Sequence, residues 1–459
     1  REGARAGERC LYVTLMQSRR ELEEMALSHG WSLDGIQIHE LPQGVKNRAA
    51  ADQTVFTPTE TELTEVAEEI IEGIENLKPK RLVLDSFSEL SVLATDMHQL
   101  RGPILRIKDM LQDAGCTALI TCGEIGRSAL QLKTLLHGVI ELEISFPEYG
   151  DHQRRLRVSK MRAMPFMGGY HDFRIRTGGL ELYPRLRSGA PEKTAERPPV
   201  SSGIEELDAM TGGGLEEGTS CLITGTSGAG KSTLASLYVQ AAAERGDRSV
   251  IFCFDERPET FIRRAESLGM DIGPCIDDGL VDLRQMVAGE LSPGQFAHSV
   301  KEAVEHDDCR VVVIDSLSGL ISFMPEQGFL TVQLHELLNY LSEAGVLTLM
   351  VMATHGIIGE TRDPMDASYV ADSVIALRHF EALGEMRRCI AVVKKRYGDH
   401  EKAIREFQIA HGACRIGEPL REFSGALTGN PTFTGTPEKL MSRGISTETD
   451  GSNLCRTRP

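Results

Sequence analysis

The sequence predicts an α/β protein of two tandem domains, each built on a mostly parallel central sheet. Three observations carry that expectation. Short apolar runs rich in Val, Ile and Leu alternate with amphipathic stretches of helical length, as strands do when helices cover both faces of a sheet. Segments of the first half return in the second half in the same order. One strand-like run, Ser220–Thr224, leads into a glycine-rich turn and then a helical pattern, the context in which a phosphate-binding loop works.

Length and composition agree. A chain of 459 residues is too long for one ordinary core, and 41% apolar residues give each half enough to bury. The net charge of −17 gives no general attraction to phosphate backbones and argues against nucleic acid as a partner. No apolar run approaches the ~18 residues of a membrane span. The opening residues, Arg1–Arg5, lack the apolar stretch of a signal peptide. The expectation is a cytoplasmic protein without membrane contact, and, since the chain starts with Arg, a fragment or processed product. The ten cysteines form no Cys-x-x-Cys pair, which points to buried reduced thiols rather than a zinc ribbon or a redox dithiol.

The repeat orders the elements. Gly7–Leu15 resembles Gly246–Phe254, Arg81–Ser86 resembles Val311–Ser316, and Ser159–Arg162 resembles Val393–Arg396, at separations of 239, 230 and 234 residues. By the first of these separations, the counterpart of Lys231 falls before residue 1. The first repeat is therefore expected to lack its phosphate-binding loop and the strand leading into it. Strands are expected at Leu82–Leu84, Ala118–Thr121, Ser220–Thr224, Val250–Phe254, Val311–Ile314 and Val346–Met352, with helices at Lys231–Arg245 and Leu330–Ala344. A Pro- and charge-bearing stretch suggests a linker over 187–199, between a first domain at 1–186 and a second at 200–428. The polar residues 429–459 show no periodicity and are expected to be disordered.

The run Gly225-Thr226-Ser227-Gly228-Ala229-Gly230-Lys231-Ser232, followed by Thr233, matches G-x-x-x-x-G-K-[ST] in full. Glycines let the backbone N–H groups wrap a phosphate, and the helix N-terminus adds partial positive charge. Lys231 supplies a cation near the β/γ oxygens of ATP, and the Ser232 hydroxyl can ligate Mg²⁺. Asp315 ends an apolar strand 84 residues after Lys231 and suits the carboxylate that holds Mg²⁺ directly or through water. Asp255 and Glu256 follow another strand, where either could orient an attacking water. In the first repeat the same place reads Met16-Gln17, with no carboxylate, so that domain is expected to be catalytically silent although Asp85 is present. Lys394 and Arg396, like Lys160 and Arg162, follow late strands. Such a pair can be an exposed basic turn or can reach a neighbouring subunit's γ-phosphate. His335-Glu336 lacks the second His of a zinc protease helix, and the thirteen histidines show no metal spacing.

Together these segments resemble the KaiC-like branch of the RecA superfamily of ATPases. The resemblance rests on Ser201–Asp208 with Gly212–Gly214, the P-loop, Phe254–Glu256, Val313–Ser316, Lys394–Arg396 leading to Ala403–Phe407, and Ile416–Pro419 through Gly429. It covers nearly the whole chain to about residue 431 and is weaker in the first half. It implies tandem RecA-like P-loop domains, a homo-oligomer in the form of a hexameric ring with ATP between subunits, slow hydrolysis with Mg²⁺, and serine/threonine autokinase activity in the second domain. It also implies signalling or clock-type protein partners. By position, Asp255 and Glu256 match the family's paired glutamates, and Lys394 and Arg396 its trans-acting pair. Where clock proteins carry adjacent Ser and Thr acceptors, this chain reads Ser368-Tyr369. Ser368 is thus a candidate phosphoacceptor, or a plain turn hydroxyl. Two rival classes share the core motifs: a RecA-type DNA-dependent ATPase, against which the acidic balance argues, and a nucleotide-gated scaffold without turnover.

Overall fold

The computed structural model describes residues 1–41, 58–93, 97–123, 133–146, 151–186, 198–287, 291–322, 327–354, 369–382, 384–410, 413–428 and 431–435. The chain divides into two compact units: Arg1–Glu143 with Arg154–Leu182, and Ile144–Gln153 with Tyr183–Pro459.

In the first unit, β1 (Cys10–Thr14), β2 (Ile36–Glu40), β3 (Arg81–Asp85) and β4 (Thr117–Ile120) form a parallel sheet in the order β2-β1-β3-β4. Leu11, Val13, Leu82 and Leu84 pack beneath Ile70, Ile71 and Ile74 of the helix Pro58–Leu77, spaced to put one apolar stripe on the sheet. The helix Arg19–Ser28 begins with a reciprocal capping box between Ser18 and Glu21. A second four-stranded sheet follows in sequence order: β5 (Gly138–Ser145), β6 (Gln153–Met161), β7 (His171–Arg176) and β8 (Gly179–Tyr183).

The second unit has one continuous sheet of nine strands. These are β9 (Ser220–Gly225), β10 (Arg248–Cys253), β11 (Val281–Gln285), β12 (Cys309–Asp315), β13 (Leu347–Ala353), β14 (Ser373–Ala382), β15 (Glu385–Lys395), β16 (Arg405–Ala410) and β17 (Ala413–Pro419). Their order is β11-β10-β12-β13-β9-β14-β15-β16-β17, parallel as far as β14 and antiparallel from there on. Alternate residues serve two cores. Ile251 and Cys253 join the helix Lys231–Glu244 on one face, and Val250 and Phe252 join the helices Pro293–Glu305 and Gln327–Glu343 on the other.

Without β9, the order of the second sheet is that of the two sheets of the first unit laid end to end. β9 is the strand that enters the P-loop, so the expected repeat with one strand missing is what the topology shows among the described residues. The neighbours differ accordingly. Leu119 of β4 is 57% exposed, whereas Leu349, its counterpart by register on β13, is fully buried.

The predicted strands fall within a residue or two of the observed ones, as does the helix expected at Lys231–Arg245, while the helix expected from Leu330 begins three residues earlier, at Gln327. Thr432–Phe433, inside the stretch expected to be disordered, forms a short strand against Phe423–Ser424 because the Phe423 and Phe433 rings pack 5.4 Å apart. Tyr183–Leu186, read as the end of the first domain, belongs to the second unit: Gln295 donates to the Tyr183 hydroxyl at 3.3 Å and Arg185 pairs with Glu336. Residues 187–197 of the linker, Ser368, and most of the tail lie outside the described residues.

Candidate nucleotide site

β9 ends at Gly225 and the helix starts at Lys231, with the loop between them. Two glycines are required by close approach. A Cβ on Gly225 would overlap the Leu377 carbonyl of β14, and one on Gly230, at φ +101°, would overlap Ile409 and Phe407. Thr226, Ala229, Lys231 and Thr233 are buried, whereas Ser227 and Gly228 are exposed and Ser232 half-buried. The loop therefore presents its middle to solvent and anchors both ends.

The Lys231 ammonium donates to the Thr226 carbonyl at 2.8 Å, closing the loop on itself. Burial lowers its pKa, Asp315 opposes that shift, Arg378 adds to it, and Asp255 opposes it. Asp315 shows the mirror image: burial raises its carboxyl pKa, and a hydrogen bond from Ser232 counteracts this. Buried charges of opposite sign thus face each other across the start of the helix, each short of hydration. The Ser316 hydroxyl donates to Asp255 and itself accepts the Gly319 N–H at 2.9 Å. Glu256 turns elsewhere, to Arg264 at 3.0 Å, whose guanidinium lies over Phe261. The sequence motifs Lys231, Ser232, Asp255 and Asp315 are therefore brought together, with Glu256 beside them under a separate tether.

Lys394 and Arg396 are not part of this cluster. Lys394 donates to the Ala371 carbonyl at 2.7 Å, and Arg396 pairs with Asp372 at 3.1 Å and donates to the Tyr369 carbonyl at 2.9 Å. Register explains the separation. Val374 pairs with both Lys394 and Leu222, and Leu377 pairs with Gly225, so Lys394 lies at the opposite end of β9 from the P-loop. In the first unit Lys160 and Arg162 do the same work, donating to the Lys133 and Thr134 carbonyls. Between Lys394 and Arg396, the Lys395 side chain is 1% exposed and structural: it pairs with Glu216 at 2.8 Å and donates to the Thr211 and Gly214 carbonyls.

Several participants carried no sequence signal. His379 Nδ1 lies 3.0 Å from the Thr226 hydroxyl, and Arg388 Nε donates to the Gly228 carbonyl at 3.3 Å. His379 follows Arg378 and Arg388 follows Arg387, so each sits in a polar pair of its strand, a pattern that marks no contact. Burial, then the neighbouring Arg388 and Lys231 cations, lower the His379 pKa. Arg264 was equally silent, and Ser316 stood out only as the residue after Asp315 in a repeated segment.

The first unit gives the contrast. Thr14 pairs with Asp85 as Cys253 pairs with Asp315. The Leu15 N–H donates to the Asp85 carbonyl as the Phe254 N–H does to that of Asp315. Met16 and Gln17 thus occupy the places of Asp255 and Glu256. The Asp85 carboxylate accepts from the Tyr12 and Thr121 hydroxyls, each at 2.5 Å. By register those positions are Ile251 and Val351 in the second unit, where no hydroxyl is offered.

Among the described residues no group of three or more His, Cys, Asp or Glu is placed to hold a metal, and no helix is long and apolar enough to cross a membrane. The described cysteines are free, and burial pushes the Cys221, Cys253, Cys309 and Cys389 thiols up to about 12, so they are poor nucleophiles.

A family model for the ATPase KaiC matches the chain twice, over residues 1–187 and 200–421. Among curated relatives, a circadian clock protein KaiC3 of Synechocystis is 26% identical over 97% of this chain and 89% of its own length. The circadian clock oscillator protein KaiC of Acaryochloris marina is 25% identical, covering 94% of this chain and 83% of its own. That of Synechococcus elongatus is 26% identical over the same shares.

Proposed function

The chain belongs to the KaiC family of ATPases, and on that premise we propose that it binds ATP with Mg²⁺ at Gly225–Thr233 and hydrolyses it slowly between copies of itself. The observation that carries the proposal is the convergence of Lys231, Ser232, Asp315 and Asp255 at the mouth of one strand–loop–helix. Lys231 is positioned to exchange the Thr226 carbonyl for phosphate oxygens, which recovers its lost hydration with a stronger, charge-assisted bond. The loop N–H groups and the helix N-terminus hold the remaining phosphate charge. The Ser232 hydroxyl and Asp315 carboxylate are hard oxygen donors already paired with each other, a donor set that suits Mg²⁺. Bound there, the ion would neutralise charge on the β- and γ-oxygens. Of the two candidate carboxylates, Asp255 is the better placed to orient water, because it interacts with Lys231 while Glu256 is committed to Arg264.

The opposite-end placement of Lys394 and Arg396 supports a role toward a neighbour's nucleotide, since neither serves the loop of its own chain. The proposal extends to a homo-oligomeric ring, to Ser368 as an acceptor of the γ-phosphoryl group, and to the signalling or clock-type role named for the relatives. Phosphate release separates these parts. Lys231→Ala is expected to abolish release. Mixing Lys231→Ala with Arg396→Ala is expected to restore a fraction of it, because an intact loop then meets an intact arginine. Equal rates for wild type and Lys231→Ala would remove the assigned site, and failure of the mixture to recover would remove the trans pair. Tight ATP binding without release would favour a scaffold, and salt-dependent binding of single-stranded DNA would favour the recombinase class. Mass spectrometry after incubation with ATP tests Ser368: phosphate that persists in Ser368→Ala contradicts the acceptor assignment.

A further inference from the structure

The P-loop is tied to the β14–β15 hairpin at two points. The Thr226 hydroxyl meets His379 Nδ1 at 3.0 Å, and Arg388 donates to the Gly228 carbonyl at 3.3 Å. His379 and Arg388 are cross-strand partners, so the two ties form one clasp on one face of the hairpin. Thr226 is fully buried, and its other polar end, the carbonyl, accepts from Lys231 at 2.8 Å and from the Ala229 N–H at 3.2 Å. Its two ends are thus bound by groups with different fates. If Lys231 leaves for phosphate, the Ala229 N–H keeps the carbonyl within the loop, and the Thr226–His379 bond is the tie that still fixes the Thr226 side chain to the hairpin. The hairpin also carries Lys394 near its far end, so a loop clasped to it shares a rigid body with the proposed trans pair.

We propose that His379, with Arg388, is a positioning residue that holds the P-loop in its phosphate-binding shape through the Thr226 hydroxyl once Lys231 has been released. The inference rests on the nucleotide site described under the proposed function. The groups facing the imidazole are Thr226, Lys231 and the Gly228 backbone from the loop and its helix, and Arg388 from β15. Burial and these two cations, Arg388 and Lys231, favour the neutral ring, which can accept from the hydroxyl. Loss of the clasp lets the loop sample shapes that cannot cradle a phosphate. The affinity of the nucleotide-free protein then falls in proportion to the population lost, while the chemistry of a correctly bound nucleotide is untouched.

The test is a double-mutant cycle on the full chain, read as nucleotide affinity by calorimetry and as kcat and KM for phosphate release. His379→Ala and Thr226→Val are each expected to raise Kd and KM about 5- to 20-fold with kcat within about 2-fold, the loss of one hydrogen bond to a neutral ring. The double variant is expected to be no worse than either single one, because both remove the same bond. His379→Gln, which can still accept from the hydroxyl, is expected to recover most of the affinity. Circular dichroism and melting of each variant guard against unfolding. Additive losses in the cycle, or unchanged affinity in a folded His379→Ala, overturn the clasp while leaving the nucleotide site standing. Absence of ATP binding in the wild-type chain removes the nucleotide site itself, a separate result.

Discussion

Asp85 and Asp315 end equivalent strands in the two units and are followed in both by a cis Asp–Ser peptide bond, yet they stand in opposite surroundings. Asp85 has its oxygens taken by two hydroxyls from its own sheet, Tyr12 and Thr121. Asp315 is buried near a lysine and accepts from the Ser232 hydroxyl of the P-loop helix, with Ile251 and Val351 at the two sheet positions in place of hydroxyls. The first carboxylate is satisfied where it stands. The second is left wanting a cation. A shared motif position thus separates into a structural and a functional residue through the side chains around it, and two hydroxyl-to-aliphatic exchanges, at 12/251 and 121/351, are enough to distinguish them.

The largest expected effect of that difference is catalytic. Asp315→Ala should lower phosphate release by at least about 10³-fold, the scale of losing a preorganised charged group at a reacting phosphate, whereas Asp85→Ala should stay within about 2-fold. Comparable losses from both would break the contrast. In stability the order reverses. Asp85→Ala leaves two hydroxyls without their acceptor and should cost about 1–3 kcal/mol in denaturant unfolding. Asp315→Asn should instead raise the melting temperature of the ligand-free chain by about 2–4 °C, the shift of about 1 kcal/mol in a domain of this size.

The sign follows from the direction of the Asp315 shift. Its carboxyl pKa is raised on folding, so folding disfavours the ionised form. The penalty is absent below the ordinary carboxylate range and sets in as pH rises through that range toward the raised value. The gain from Asn should therefore be full at about pH 7 and vanish at about pH 3. A gain that grows on acidification would contradict the assigned cause. A further pair sharpens the comparison at smaller scale. Lys395→Ala should destabilise the second unit by about 2–3 kcal/mol, since it strands Glu216 and two carbonyls, while Arg396→Ala, which removes a half-exposed pair with Asp372, should cost about 1 kcal/mol. The smallest expected effect is that of restoring carboxylates at Met16→Asp with Gln17→Glu. That change should leave the rate unaltered, because no β9-like strand and loop stand beside them among the described residues.

Much of this was legible in the sequence because it is local or periodic. The P-loop announces itself by spacing, and the strands by apolar runs. Even the missing strand could be inferred from the repeat, because Lys231 has no partner in the first half. Asp255 and Asp315 were readable since each closes an apolar run. What escaped were contacts made across the sheet. His379 and Arg388 are ordinary polar strand residues until the register sets them beside Thr226 and Gly228. Tyr12 and Thr121 are ordinary strand formers until they converge on Asp85. Lys394 and Arg396 were read as a pair, but the sequence did not show that the fold turns them to the end of β9 away from the loop. It also gave no hint that the lysine between them is the buried one.

The central claim is that of the two repeats in this chain only the second holds nucleotide. The direct measurement is the stoichiometry of ATP binding to the 459-residue chain with Mg²⁺ by titration calorimetry, repeated on Lys231→Ala. The account predicts one nucleotide per chain, lost in the variant. Two nucleotides per chain, or one that survives the loss of Lys231, would contradict it.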